Sequence, residues 1–185
     1  MVREATRSLP EPPAIYGHNA GIGVKTGAIW REVIDLLARL DGVDFRQTAP
    51  VRPGTPFLKP YGAEWEASEA TLIRPLPGIR PTTIVRAGAL DQGNIVMNLQ
   101  DAERRGIQES VLFLAGSAIN SIKNAAGNAD PAIGTEAMLQ AIEVHRSGSL
   151  RDVPVERQVQ ALFELANRQK LTALQTALHQ RYPGL

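Results

Sequence analysis

The stretch Glu69–Leu99, EATLIRPLPGIRPTTIVRAGALDQGNIVMNL, decides how the chain reads as a fold. It holds three apolar runs of strand length: Glu69–Arg74, Thr82–Ala87 and Asn94–Leu99. Pro75-Leu76-Pro77-Gly78 separates the first two and Asp91-Gln92-Gly93 precedes the third, and both are turn-forming sequences. A parallel pair needs a crossover of about a dozen residues or more, commonly a helix, and no such helical segment is visible between these runs. The spacing therefore predicts an antiparallel meander, with Val43-Asp44-Phe45 opening a fourth strand.

Working outward, proline divides the chain. Ten of the 13 prolines lie between Pro10 and Pro81, and only Pro131, Pro154 and Pro183 lie beyond. Proline lacks a backbone donor and is excluded from helix interiors, so the front is turn- and strand-rich and the rear is free to be helical. Residues 46–62 carry Pro50, Pro53, Pro56 and Pro60 and read as a long excursion over the surface. One helix precedes the strands, over Thr26–Leu40. Ile29, Val33, Leu36, Leu37 and Leu40 fall on one face, expected to be buried; Arg31, Glu32, Asp35 and Arg39 fall on the other, expected to be solvated. Asp41-Gly42 supplies its stop.

From Ile107 the period becomes helical through Val111, Leu114, Ala118 and Ile122. A strand over Val111–Leu114 is the lesser reading. Asp130-Pro131 or Thr135 starts a second helix; Val155, Val159, Leu162 and Ala166 mark a third; Leu171, Leu174 and Leu178 mark a fourth, either separate from the third or continuous with it. The expected fold class is α+β: one N-terminal amphipathic helix, a four-stranded mainly antiparallel sheet with a proline-rich excursion, and four C-terminal helices. Residues 1–13 form an extended proline-rich arm, and 14–185 a single domain, strand-rich over 43–100 and helical over 107–182.

Composition excludes several function classes. The formal charge of +1 provides no global field toward nucleic acid or an anionic membrane. The absence of cysteine removes disulfides, thiolate metal sites and thiol nucleophiles. His18, His145 and His179 stand far apart with no ligand-spaced pair, so neither a metal nor a cofactor is expected. Residues 1–13 lack the apolar run of a secretory signal and no window spans a bilayer, which reads as a cytoplasmic protein or one assembled into a particle.

Chemistry-bearing patterns are few. Tyr16–Gly27, YGHNAGIGVKTG, lies before the first predicted helix, where glycine amides and a helix N-terminus favour an anion. Gly21, Gly23, Lys25 and Thr26 are the candidate anion-binding residues. Val24 breaks the spacing of a P-loop, and Thr26 stands where a dinucleotide fingerprint needs its third glycine. His18, in that loop, is the candidate acid or base. Glu64-Trp65-Glu66 reads as a solvated strand edge with a buried tryptophan, and Arg74, Arg80 and Arg86 as arginines on neighbouring strands. Pro56, Phe57, Leu58, Tyr61 and Trp65 form an aromatic and proline segment suited to docking on a protein surface.

A helix, several strands and an irregular proline-rich excursion resemble in architecture the phage tail-terminator and connector proteins. No motif is shared, so no residue is carried over. The lack of convergent catalytic motifs and the aromatic and proline segment point away from an enzyme and toward a non-catalytic assembly or interaction protein, bacterial or phage, which the resemblance would make a virion component or connector-like subunit, with copies of itself or another protein as partner. The alternative is a small phosphate-handling transferase using residues 17–27, or a secreted bacterial effector.

Overall fold

Strands alternate with helices through the front of the chain in the computed structural model, which describes residues 2–6, 8–25, 27–51 and 62–185. The order is α1 (Val2–Thr6), β1 (Tyr16–Gly17), α2 (Ile22–Lys25), α3 (Arg31–Leu40), β2 (Phe45–Thr48), α4 (Gly62–Ile73), β3 (Thr83–Ala87), α5 (Ile95–Arg104) and β4 (Val111–Leu114). Then come α6 (Ser117–Asn120), α7 (Pro131–Arg146), α8 (Gln158–Gln169) and α9 (Thr172–Arg181). The four strands form one all-parallel sheet in the order β1-β2-β3-β4. Tyr16 stands opposite Phe45, Arg46 opposite Ile84, and Thr48 opposite Arg86.

The fold is thus α/β, and the expected antiparallel α+β arrangement is corrected. Two of the expected strands are helices. Residues 69–73 lie in α4, whose Ala63, Glu64, Glu66, Ala67, Glu69, Ala70 and Leu72 are strong helix formers, and the helix stops just before Pro75. Residues 95–99 lie in α5. Asp91 accepts hydrogen bonds at its Oδ1 from the backbone N–H groups of Gly93 (2.9 Å) and Asn94 (3.0 Å), so the sequence that resembles a hairpin turn opens a helix instead. Conversely, Val111–Leu114 is strand β4, a short apolar run in which helical and strand periods coincide. These exchanges supply the crossover helices that parallel pairing requires.

The chain divides into two compact units. One comprises Met1–Ala49, Pro56–Ala87 and Glu109–Phe113; the other comprises Pro50–Thr55, Gly88–Gln108 and Leu114–Leu185. In the first unit, register places Arg46, Thr48, Ile84 and Arg86 on one face of the sheet, and α3 and α4 cover that face. Parallel sheets ordinarily bury continuous apolar runs. Here the interlayer is largely ionic. Arg46 Nε donates to Asp35 of α3 at 2.6 Å, and Ser68 of α4 donates to the other oxygen of that carboxylate. Glu69 of α4 receives Arg86 through two nitrogens, at 3.1 and 2.9 Å, and Thr48 Oγ1 at 3.0 Å.

This layer reverses the expected orientation of α3. Arg31, Asp35 and Arg39 are its buried residues, while Val33, Leu37 and Leu40 face outward. Arg39 explains part of the reversal. Its guanidinium donates to the carbonyls of Thr71 (2.8 Å) and Arg74 (2.7 Å), and to those of Arg80 (3.1 Å) and Ile79 (3.3 Å). The last carbonyls of a helix have no partner within it, and a buried arginine fork satisfies those of α4 better than any apolar side chain.

The second unit is helical beyond β4. Asp130 caps α7 by accepting from Ala132 N (3.1 Å) and Ile133 N (3.4 Å), with Pro131 in the first turn. Ile122, Ala137 and Ala177 pack in one cluster against Ile133 and Ala173, small side chains that allow close helix approach. Lys170 at φ 58° adopts the left-handed conformation and separates α8 from α9, so these are two helices. Gly134 sits against the backbone carbonyl of Ile119, where any Cβ would collide. Gly134→Ala is expected to cost about 1–3 kcal/mol or more, read as a lower denaturant midpoint, because the obstacle is backbone and cannot rotate away. Among the described residues, no helix is long and apolar enough to cross a membrane.

Candidate functional site at the carboxyl edge of the first unit

Open parallel α/β sheets bind ligands outside the carboxyl ends of their strands, because the connecting loops converge there. At the ends of β1 and β2 the chain gathers Tyr16, His18, Asn19, Arg31, Gln47 and Trp65. Gln47 Oε1 receives the Tyr16 hydroxyl (3.3 Å) and the Asn19 backbone N–H (3.4 Å). Burial raises the Tyr16 phenol above its ordinary value and Arg46 opposes this, so the hydroxyl stays protonated and donates.

Arg31 braces the loop from below. Its Nη2 donates to Asn19 Oδ1 (3.3 Å) and to the Gln47 carbonyl (3.4 Å), while its guanidinium lies 3.7 Å over the Trp65 ring. Burial lowers its pKa and Asp35, 3.4 Å from Nε, pulls it back up; the guanidinium remains cationic at neutral pH. Arg46 joins the cluster to the ionic interlayer. Its Nη1 donates to the carbonyls of Gly17 (3.1 Å) and His18 (3.0 Å), so Asp35, through Arg46, fixes the chain on which His18 stands. Gly17 suits this close approach, since a Cβ there would meet the side chains of Val43 at 3.0 Å and Arg46 at 3.1 Å.

His18 is exposed at the rim. Its Nδ1 accepts the Ala20 backbone N–H at 3.0 Å, which in the neutral ring puts the proton on Nε2. The group offered outward is therefore an N–H donor, suited to an oxygen that carries or develops negative charge.

The other sequence candidates are placed as follows. Gly21, at φ 71°, turns the chain into α2, which contains Gly23 and ends at Lys25, an exposed residue in the helix's last turn. Thr26, Pro56, Phe57, Leu58 and Tyr61 lie outside the described residues. Trp65 is half-buried beneath Arg31 on helix α4 rather than on a strand. Arg86 is turned to Glu69 and Arg80 to Asp44, while the Arg74 carbonyl serves Arg39. Among the described residues, no group of three or more histidines and carboxylates is placed to hold a metal ion.

Sequence reasoning missed Arg31, Asp35, Arg46 and Gln47 as members of one constellation. Arg31 and Asp35 carry a helical i,i+4 spacing that ordinarily marks a solvated ion pair. No local signal distinguishes them, because the apolar stripe opposite points to the reverse orientation.

No protein-family model matches the sequence, and no curated protein matches it. Solved structures do. The octameric ribulose-1,5-bisphosphate carboxylase/oxygenase (Rubisco) of Pyrococcus horikoshii OT3 superposes with a TM-score of 0.66 at 22% identity, covering 96% of this chain and 37% of that one. A rubisco-like protein (MtnW) of Alicyclobacillus acidocaldarius gives 0.64 at 20% identity, covering 96% and 39%. A rubisco-like protein of Burkholderia fungorum gives 0.66 at 20% identity over the same shares. The chain thus spans under two fifths of the length of the proteins it resembles. These likenesses overturn the expectation of a non-catalytic, connector-like assembly protein or virion component, and they support neither a transferase built on residues 17–27 nor a secreted effector. The chain has the α/β fold found in Rubisco and Rubisco-like proteins.

Proposed function

We propose that this chain contributes to the substrate site of a Rubisco-type enzyme acting on a phosphorylated sugar or a related anionic carbonyl compound, and that it works as an assembly of its own copies. The observation that carries the enzyme reading is the cluster around His18 at the carboxyl edge of parallel strands, in a chain 96% of which superposes on Rubisco. His18 Nε2–H is the group that meets a carbonyl or phosphoryl oxygen. Donation to a carbonyl oxygen stabilises negative charge developing there and so acidifies the adjacent carbon. Asn19 and Gln47 hold the rim, and Arg31 and Arg46 act as positioning residues beneath it. Self-association finds support in the octameric state of the Pyrococcus protein.

Titration with ribulose 1,5-bisphosphate, followed by NMR, tests the enzyme reading. The expected result is shifts confined to Tyr16, His18, Asn19 and Gln47, with His18→Ala weakening binding by about ten- to hundredfold, the loss of one hydrogen bond to a charged partner. Circular dichroism should be unchanged, because His18 is exposed. Absence of binding, or equal affinity of the variant, would refute it.

A further inference from the structure

We infer that Tyr182, just after α9, is the latch of a strained loop: it holds residues 88–94, which leave the carboxyl end of β3, in a conformation that they do not keep unaided. The loop opens on two successive left-handed residues, Gly88 at φ 86° and Ala89 at φ 65°. Glycine takes that conformation freely. In alanine the Cβ crowds the following carbonyl oxygen, so Ala89 stays there only while its surroundings hold it. The hold is a relay of side-chain bonds. Asn94 Nδ2 donates to the Ala89 carbonyl (2.8 Å), and Asn94 Oδ1 accepts the Asp91 backbone N–H (2.9 Å). Asn94 is placed in turn by Asp91 Oδ1, which accepts the N–H groups of Gly93 and Asn94 and receives the Tyr182 hydroxyl at 2.8 Å. Of these three donors on one oxygen, Tyr182 alone comes from outside the loop, from 91 residues further along the chain.

Gly93 gives a second, independent sign. Its φ lies outside the left-handed region, so its backbone does not call for glycine. The missing side chain makes room for the tyrosine instead: a Cβ on Gly93 would lie 2.7 Å from Cζ and from the hydroxyl oxygen of Tyr182, and closer still to Cε2. Gln92, fully buried, anchors the middle of the loop by donating to the carbonyls of Ala118 (2.9 Å) and Gly134 (3.0 Å). With Gln92 fixed, loss of the tyrosine bond frees the Asp91 carboxylate and, through Asn94, the Ala89 backbone. The loop therefore has a latched and a released form, and the hydroxyl of Tyr182 sets the balance between them. Residues 88–94 and Tyr182 belong to the second unit, so the latch closes inside it and is independent of ligand binding at His18 and of self-association.

Amide hydrogen exchange of the intact chain, read residue by residue by NMR, is the test, with two variants that reach the latch from opposite sides. Tyr182→Phe keeps the ring and loses only the hydroxyl, whereas Gly93→Ala keeps the hydroxyl and displaces the ring. Each is expected to speed exchange at the Asn94 amide by about ten- to hundredfold, the loss of one hydrogen bond to a charged acceptor. The amides of Ala132 and Ile133, capped by Asp130, should keep their wild-type rates. Unchanged exchange at Asn94 in Tyr182→Phe would overturn the latch, because the loop would then hold itself. Acceleration spread equally over α7 would overturn it too, since the hydroxyl would then serve the whole unit and not the loop.

Discussion

Asp35→Ala is expected to destabilise the fold by about 3–5 kcal/mol, the range for removing one partner of a buried ion pair. The Asp35 side chain is fully buried and that of Arg46 is 5% exposed, so the guanidinium left behind has no access to water. Ser68 loses its acceptor in the same step, and Arg31 loses the charge beside its Nε. Because Arg46 also holds the Gly17 and His18 carbonyls, the damage should reach the candidate site. Guanidinium melts followed by circular dichroism measure the first effect, and the chemical shift of His18 measures the second. A loss below about 1 kcal/mol would mean that Arg46 finds solvent and that the interlayer is not closed.

Glu69→Ala is the second large effect, again about 3–5 kcal/mol, since it removes the carboxylate that neutralises the buried Arg86 (1% side-chain exposure) and the acceptor of Thr48. The paired change Glu69→Leu with Arg86→Met distinguishes a charge penalty from a packing one. Replacing both partners by apolar groups of similar volume removes the buried charge and leaves only the Thr48 hydroxyl without its acceptor, so the double variant should recover most of the loss seen in the single one. Equal instability of both would show that volume, not charge, governs this position. Asp35→Ala and Glu69→Ala should not add when combined, because Ser68, which binds Asp35, adjoins Glu69 on α4, and Arg46 and Thr48, the β2 partners of the two carboxylates, lie two residues apart.

These ion pairs also explain which parts of the fold were legible. Strand β3 carries its β-branched run openly, and Asp130-Pro131 announces the start of α7 by cap chemistry alone. Periodicity failed where the interlayer is polar. With Arg31, Asp35 and Arg39 inside, α3 presents a regular amphipathic pattern whose polarity is inverted, and nothing local reveals which side meets the sheet. Helix α4 buries Ser68, Glu69 and Thr71 alongside Leu72, so its inner face does not look apolar. Helix α5 and strand β4 exchanged identities because short apolar runs fit both periods. Once the helices between the strands were missed, parallel pairing could not be inferred. His18 was legible as a candidate, but the groups that orient its backbone were read as solvated surface.

The Arg39 fork has a consequence for the order of folding. The carbonyls it satisfies lie 32 to 41 residues further along the chain, so those of Thr71 and Arg74 at the end of α4 gain this partner only when α3 is in place. Its final turn is incompletely capped until α3 arrives, and the buried Arg39 guanidinium lacks these acceptors until that contact forms. The two helices therefore acquire their stability together, which makes them a single cooperative unit rather than two independently nucleating segments.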